Sequence, residues 1–318
     1  MEWYDVHHRC LPWRETSDPY AVWVSEIILQ QTRVAQGLEY YRRFMTAFPD
    51  VEALALAEPD EVMRIWQGLG YYSRARNMQQ AAQQVMRAGG FPRTYEGLLN
   101  LKGVGAYTAA AVGSFAFGLP LAAVDGNVCR VLSRLFDISD PIDSTIGKKI
   151  VQDLADELLP VDKSACFNQA MMEFGALQCV PSRPDCTACP LSFKCLSLAS
   201  GMVERRPVKM HRTKVSERFF HYFYIHDSTS LYLHKRHAGD IWQGLYELPL
   251  KEVADADAEE VLMPVKSRKH VLSHQVIHAT LYEQILPDPL PERDDYIIVP
   301  MEDLENYALP RLLQFLLE

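Results

Sequence analysis

Four of the seven cysteines of this chain lie in one short loop with the spacing C-x6-C-x2-C-x5-C: Cys179, Cys186, Cys189 and Cys195. Clustered thiols in a reducing compartment indicate a metal site rather than disulfides. Zinc ribbons place two C-x-x-C pairs about 12–20 residues apart, whereas this loop has one such pair with a single cysteine on either side. Four thiolates in so compact a loop can instead each bind a different iron of an iron–sulfur cluster. We expect a structural or electrostatic metal site, with zinc as the alternative.

The length of 318 residues, with 48% hydrophobic and 23% charged residues, predicts a soluble globular protein of two domains. The net charge of −9 gives no global sign of a nucleic-acid partner, although it leaves room for a local basic face. The N-terminal MEWYDVHHRC lacks the pattern of a secretory signal, and no apolar stretch approaches the ~18 residues of a spanning helix. We therefore expect a cytoplasmic protein, and we expect a monomer.

Residues 1–200 carry helical patterns that short turns rich in Gly, Pro and Asp separate. The predicted helices are AVWVSEIILQQTRV (after the N-cap Asp18-Pro19), PDEVMRIWQGL, ARNMQQAAQQVMRA, YTAAAVGSFAFG, NVCRVLSRLF, GKKIVQDLADELL and FNQAMMEFGAL. Residues 201–217 are basic and predict a linker. In residues 218–318, the runs RFFHYFYIH, SLYLHKR, HVLSHQVIHATLYEQIL and DYIIVP predict strands, and EDLENYALPRLLQFLLE predicts a closing helix. The sequence thus predicts an all-α domain that ends in the cysteine loop (179–195), then an α+β domain.

Two glycines, Gly103 and Gly105, lie between two predicted helices in LNLKGVGAYTAAAVGSFA. Such a turn can expose backbone N–H groups that bind a DNA phosphate without reading sequence, although a plain turn is the alternative. Twenty residues after Gly105, Asp125 opens the helix NVCRVLSRLF within VDGN. Taken alone, Asp125 is best interpreted as an N-cap.

Together and in this order, the hairpin, the aspartate and the cysteine loop resemble the helix-hairpin-helix DNA glycosylases of the endonuclease III superfamily over the first 200 residues. The resemblance implies that the four cysteines hold a 4Fe–4S cluster, with Arg183 and Lys194 available for DNA phosphates. Bifunctional members carry a lysine nucleophile in G-V-G-x-K-T-A, where this chain has Tyr107. A tyrosine cannot form the Schiff base of a lyase, so a monofunctional glycosylase is favoured. Lys102 departs from the proline that is common there.

LPWRETSDPYAVWVSEIILQQT, QGLGYYSRARN and VDGNVCRVLSR are similar to signatures of the MutY family of adenine DNA glycosylases. Glu26 shares a helical stripe with Val22 and Leu29, so burial would raise its pKa and suit it to general acid catalysis; a structural ion pair is the alternative. The resemblance implies that Glu26 protonates N7 of a flipped adenine and that ionised Asp125 stabilises the cationic sugar. It also implies roles for Tyr107 and Asn127 in orienting these groups, for Trp13, Arg14 and Glu173 at the base pocket, and for Gln31 and Tyr71 in the gap left by the base.

The stretch YLHKRHAGDIWQGLYELP resembles the Nudix-like C-terminal domain of the same family. The following LKEVADADAEEVLMPVKSRK lacks the R-E-x-x-E-E helix of a working Nudix enzyme, so a recognition module is expected rather than a pyrophosphohydrolase. Leu272-Ser273-His274 stands where the family has Phe-Ser-His. The resemblance implies that Ser273 and His274 inspect 8-oxoguanine opposite the adenine, and such contacts typically contribute ~1–3 kcal/mol each.

The resulting hypothesis is a monofunctional DNA glycosylase of base excision repair that removes adenine opposite 8-oxoguanine or guanine in duplex DNA. Three alternatives stand beside it. An endonuclease III-like glycosylase/lyase for oxidised pyrimidines conflicts with Tyr107, Glu26 and the second domain. An iron–sulfur electron carrier leaves the hairpin and Glu26 unexplained, and the presence of both Glu26 and Asp125 argues against a non-catalytic DNA-damage-binding protein.

Overall fold

The computed structural model describes residues 1–210, 215–254 and 262–318. Contacts within the chain divide it into two compact units, Met1–Ala55 with Gln80–Arg212 and Leu56–Gln79 with Thr213–Glu318. The second unit is therefore discontinuous, because residues 56–79 belong to it although the sequence places them among the N-terminal helices. Within the described ranges, no helix is long and apolar enough to cross a membrane.

Helices dominate the first unit, and the second unit contains the helices at residues 59–66 and 311–317. In chain order, the helices of the described residues are α1 Glu2–His7, α2 Pro19–Ile28, α3 Val34–Ala47, α4 Val51–Leu56, α5 Pro59–Trp66, α6 Ser73–Arg87, α7 Tyr95–Leu99, α8 Ala106–Phe117, α9 Gly126–Leu135, α10 Thr145–Leu158, α11 Ser164–Leu177, α12 Leu196–Ala199 and α13 Arg311–Leu317. Helix α2 packs against α8 and α3, and α9 packs against α11 and α10. These contacts bring the ends of α2, α8, α9 and α11 to one cavity, as the next section describes.

Helix α2 shows how local chemistry sets an element's bounds. It begins where the Asp18 carboxylate accepts hydrogen bonds from the backbone N–H groups of Tyr20 and Ala21, each at 3.2 Å. It ends at Ile28, six residues before the predicted end, and Gln31 then adopts a left-handed φ of 57°. The predicted long helix was wrong here, and helix α3 after the turn was not predicted.

The second unit contains a mixed seven-stranded sheet. Its strands are β1 Ser216–His226, β2 Ser230–Lys235, β3 Tyr246–Glu247, β4 Leu250–Val253, β5 Pro264–Val271, β6 Gln275–Ile285 and β7 Ile297–Pro300. The order is β3-β2-β1-β6-β5, while β4 pairs with β1 and β7 with β2. Strands β1 and β6 are parallel, in register from Ser216 opposite Gln275 to His226 opposite Ile285, and the other pairs are antiparallel.

The core of the second unit lies between one face of the sheet and α13. Phe220, Tyr222, Leu231, Leu233 and Ile277 are fully buried there, together with leucines of the helix. The predicted strands of this region are confirmed: the run HVLSHQVIHATLYEQIL contributes the last two residues of β5, a turn at Leu272–His274 and strand β6. The rest of β5 and the short strands β3 and β4 were not predicted.

Of two further predictions for the second unit, one is partly wrong and the other is not tested by the described residues. The closing helix is shorter than predicted: a 3-10 turn over Met301–Asn306 precedes α13, because Pro310 disfavours a helical residue before it and offers no backbone N–H. The prediction about the Nudix helix falls partly on residues 255–261, which lie outside the described residues, so it stays a prediction.

Candidate active site

One cavity of about 950 Å³ in the first unit collects most of the predicted site residues. Its lining includes Trp13, Arg14, Glu26, Gln31, Gly103, Gly105, Tyr107, Asp125, Asn127 and Glu173. Tyr71, Ser273 and His274 lie in the second unit, where they line a cavity of about 330 Å³. The four cysteines line a third cavity.

Glu26 lies on the buried helix α2, and only 7% of its surface is exposed. The Tyr107 hydroxyl, on the first turn of α8, donates a hydrogen bond to its Oε2 at 2.5 Å. Burial raises the pKa of Glu26 to about 7, the Tyr107 hydrogen bond lowers it and the nearby Asp125 charge raises it. The carboxyl group can therefore hold or release a proton near neutral pH.

Asp125 is the N-cap of α9, as its sequence context predicted, and it also lines the cavity. Its Oδ1 accepts the backbone N–H of Val128 and its Oδ2 accepts the side-chain amide of Asn127, each at 2.7 Å. Burial raises the pKa of Asp125, and these hydrogen bonds act in the opposite direction. Because both oxygens accept bonds from fixed donors, the carboxylate is held in one orientation at the cavity wall.

Arg130, which the sequence analysis did not single out, links Asn127 to the cysteine loop. Its Nη2 donates to Asn127 Oδ1 at 2.9 Å and to the Gly175 carbonyl at 2.6 Å, and its Nε donates to the Cys179 carbonyl at 2.7 Å. Arg130 follows Asn127 by three residues on α9, so both lie on one helical face. That spacing was the available signal for finding it.

Glu173, which is buried, forms an ion cluster with Arg9 and Arg14, whose side chains are partly exposed. Its Oε1 accepts from Arg9 Nε at 2.8 Å and Arg14 Nη1 at 3.0 Å, and its Oε2 accepts from Arg9 Nη2 at 2.6 Å and Arg14 Nη2 at 2.7 Å. Burial alone would raise the pKa of Glu173, but the bonds from the two arginines lower it to about 2. Glu173 is thus an ionised anchor for the segment that carries Trp13. Arg9 was missed because its partner is 164 residues away.

Of the two glycines in the hairpin, only one has a backbone conformation that favours glycine. Gly103 has a φ of 75°, a conformation that favours glycine, whereas Gly105 has an ordinary φ of −95° as the N-cap of α8. A Cβ on Gly105 would meet nothing within 4 Å. The protein's own packing therefore requires glycine at the first position only, and the first backbone N–H groups of α8 have no acceptor within the helix.

The four cysteine side chains line one cavity. Among the described residues, no three Cys, His, Asp or Glu side chains form a group that could hold a single metal ion. Arg134, 2% exposed, lies beside the loop: its Nη1 is 3.5 Å from Cys179 Sγ and donates to the Val180 carbonyl at 2.7 Å, and its Nη2 donates to Pro181 O at 2.7 Å.

Basic residues near this loop differ in their availability. The Lys194 side chain is exposed, and its Nζ lies 5.6 Å from the centre of the Phe193 ring. Arg183 is exposed, and its backbone N–H donates to Glu204 Oε1 at 2.9 Å. Arg206, in the predicted basic linker, instead pairs with Asp137 at 2.9 Å.

In the second unit, the Tyr71 hydroxyl and Ser273 Oγ share a hydrogen bond, and Tyr71 is 41% exposed. Leu272 is partly buried and packs against the unit's hydrophobic core, as Trp242 also does. The leucine that replaces the family's aromatic residue is therefore held by apolar contacts, and Ser273 and His274 remain exposed beside it.

Comparison with known proteins completes the description of the site. A model of the HhH-GPD superfamily of base excision DNA repair proteins matches residues 24–159, and a NUDIX domain model matches residues 221–318. An adenine DNA glycosylase of Buchnera aphidicola subsp. Acyrthosiphon pisum is 30% identical over 338 aligned positions, which cover 100% of this chain and 95% of that protein. This chain belongs to the adenine DNA glycosylase family. It is a DNA N-glycosylase, a hydrolase of base excision repair, as the sequence predicted.

The human relative and two solved structures match a smaller part of this adenine DNA glycosylase family member. The human adenine DNA glycosylase is 42% identical over 227 residues, covering 65% of this chain and 42% of that protein. Two solved structures each cover 63% of the chain: a thermostable thymine-DNA glycosylase (32% identity, TM-score 0.58, 93% of that chain) and a trapped endonuclease III–DNA covalent intermediate (25% identity, TM-score 0.55, 92% of that chain). The predicted combination of a helix-hairpin-helix domain and a Nudix-like α+β domain is confirmed.

Proposed function

We propose that this protein hydrolyses the N-glycosidic bond of adenine paired with 8-oxoguanine or guanine in duplex DNA, without cleaving the strand. The observation that carries the proposal is the cavity in which a buried glutamate of raised pKa, Glu26, faces an N-capping carboxylate, Asp125. Two carboxyl groups in different environments suit an acid and an electrostatic partner for one reaction.

Glu26 acts as the general acid in this mechanism. Adenine leaves poorly as an anion, so a proton transferred to its N7 lowers the barrier, and such catalysis contributes roughly 10²–10⁴ in rate. The pKa of about 7 leaves a substantial fraction of Glu26 protonated at neutral pH. Tyr107 holds the carboxyl group through its hydroxyl, which fixes the direction of proton transfer.

Asp125 stabilises the positive charge that develops on the sugar as the base departs. Its hydrogen bonds from Val128 and Asn127 orient it before the reaction, so no reorganisation is needed when charge appears. Water then adds to the sugar. No lysine lines the described cavity, and Tyr107 occupies the position of the lyase nucleophile, so the proposal includes no Schiff base.

DNA recognition draws on both units in this proposal. The start of α8 and the Gly103–Gly105 turn bind a phosphate, and Gln31 and Tyr71 fill the gap left by the extruded adenine. Left-handed φ angles of 57° at Gln31 and 49° at Tyr71 support special roles, because such conformations are costly outside glycine. Ser273 and His274 read the purine opposite the adenine. We further propose a monomer in the cytoplasm.

We also propose that Cys179, Cys186, Cys189 and Cys195 hold a 4Fe–4S cluster, since they surround one cavity beside the buried Arg134. When bound, the cluster would supply a rigid cross-link and a local charge rather than acid–base chemistry. Arg130 ties the loop backbone to Asn127, so the loop and the candidate active site share one support.

A single assay tests the reaction. A duplex with labelled adenine opposite 8-oxoguanine is incubated with the purified protein and analysed before and after hot alkali, with guanine or thymine opposite in parallel. Cleavage that appears only after alkali, and is lost in Glu26→Gln, supports the proposal. Cleavage before alkali would indicate a lyase, with Lys102 the first residue to replace, and binding without excision would indicate a damage-binding protein.

A further inference from the structure

The loop before α6 has an unusual backbone that its neighbours must maintain. Gly68, Gly70 and Tyr71 have φ angles of 88°, 78° and 49°. The left-handed region is open to glycine but unfavourable for tyrosine, and such residues persist only where the surroundings impose them. All the contacts described below lie within the second unit.

Two side-chain donors fix this loop at one carbonyl. The Gly70 carbonyl accepts from the indole Nε1 of Trp66 at 3.1 Å and from Nη2 of Arg74 at 3.1 Å. Trp66 is 1% exposed, so the first donor is part of the core. The Gly68 N–H adds a bond to the Tyr72 hydroxyl at 3.1 Å. The peptide before Tyr71 is therefore held by one donor from α5, before the loop, and one from α6, after it.

The Arg74 guanidinium also lies between two aromatic rings. Its Cζ is 5.2 Å from the ring centre of Trp66 and 5.6 Å from that of Tyr71. Burial lowers the pKa of Arg74 to about 10, so the group remains charged at neutral pH. Removing a cation from water costs free energy unless the protein supplies compensating contacts. The planar guanidinium of Arg74 can donate to a carbonyl at its edge while its face covers an aromatic ring.

We propose that Arg74 is a positioning residue for Tyr71: through the Gly70 carbonyl and the aromatic face it holds the tyrosine in the conformation that enters the duplex. This inference rests on the proposed function, in which Tyr71 fills the gap beside the extruded adenine. Lysine cannot replace the arginine here, because a point charge cannot bond the carbonyl and stack on the ring together.

A double-mutant cycle tests whether Arg74 acts through Tyr71. The variants are Arg74→Lys, Tyr71→Ala and the pair, and the readouts are the single-turnover excision constant and the melting temperature. In a Glu26→Gln background, 2-aminopurine fluorescence beside the target adenine reports base extrusion. We expect Arg74→Lys to reduce excision and extrusion about tenfold when Tyr71 is present and less than about twofold in Tyr71→Ala.

Arg76→Lys serves as the matched control, since its partly buried guanidinium, two residues further on the same helix, donates to the Gln243 carbonyl at 2.6 Å. Its effect should add to that of Tyr71→Ala. Should Arg74→Lys lower the melting temperature too far, Trp66→Phe removes the second donor to Gly70 and enters the same cycle.

The outcomes separate the inference from the proposed function. Equal losses from Arg74→Lys with and without Tyr71, or no loss from Tyr71→Ala itself, would overturn the inference while excision by the unmodified protein stands. If the unmodified protein with its cluster excises no adenine, the proposed function fails and the inference fails with it.

Discussion

The Tyr107 hydroxyl donates a 2.5 Å hydrogen bond to Glu26 Oε2 and so links helices α8 and α2. The two residues are 81 positions apart in the chain. A bond to the charged form of an acid favours that form, so this contact opposes the effect of burial on the Glu26 pKa. The value of about 7 is therefore a balance between the apolar surroundings and one phenol group.

This balance predicts the pH dependence of adenine excision. In the proposed mechanism the protonated form of Glu26 is the acid, so the single-turnover rate should fall as pH rises through about 7. Tyr107→Phe removes the bond that lowers the Glu26 pKa, so the fall should move to higher pH even if the maximal rate is reduced. Tyr40→Phe, outside the cavity, is the control. A profile that keeps its position in Tyr107→Phe would argue against Glu26 as the titrating acid.

Glu26 should also make stability depend on pH. Its pKa rises on folding from 4.5 to about 7, so the folded state binds more protons between these values and the free energy of unfolding falls as pH rises through them. At 1.36 kcal/mol per pH unit the full effect is about 3 kcal/mol. Urea unfolding from pH 4.5 to 8 should show this loss in the unmodified protein and not in Glu26→Gln, which becomes the more stable of the two at pH 8. Parallel curves would contradict the burial argument.

Glu173 should act in the opposite direction. Its folded pKa of about 2 lies below the ordinary 4.5, so its stabilisation is complete above about pH 4.5 and is lost as pH falls towards 2. Glu173→Gln leaves Arg9 and Arg14 without their shared carboxylate and should cost roughly 3–5 kcal/mol at pH 7. Asp153→Asn, which breaks the exposed pair with Lys149, should cost at most about 1 kcal/mol. A loss from Glu173→Gln no larger than this control would mean that the buried cluster is not structural.

Arg130→Gln should affect both the active site and the cysteine loop. The change removes guanidinium bonds to Asn127, Gly175 and Cys179, so we expect roughly tenfold slower excision and faster loss of iron to a chelator. Single-turnover kinetics and iron content over time measure the two effects. Arg42→Gln, on the exposed side of α3, is the control. Slower excision with unchanged iron retention would restrict the role of Arg130 to Asn127.

Local patterns were sufficient for several features of the candidate site. Helical periodicity predicted that Glu26 lies in a buried stripe, and the residues around Asp125 predicted an N-cap, because both depend on near neighbours. Runs of aromatic and β-branched residues likewise predicted β1 and β2. The roles of these residues in catalysis remain predictions.

Features that depend on distant partners could not be predicted in this way. The structural role of Arg9 depends on its ion pair with Glu173, and its own sequence surroundings, HHRC, show no pattern. The early end of α2 follows from the backbone of Gln31, whose sequence context reads as uninterrupted helix. Residues 56–79 have ordinary helical patterns, so only tertiary contacts reveal the unit to which they belong.

The discontinuous second unit limits where the chain can be divided without breaking a compact unit. The chain passes between the two units three times, at residues 55/56, 79/80 and 212/213. Asp60 of α5 binds both Lys235 and Tyr246 of the C-terminal segment, and Met63 lies 3.8 Å from the Cβ position of Gly244. A gene fusion or truncation near residue 200 would leave these partners on separate products. A cut near residue 200 therefore divides one compact unit rather than separating two.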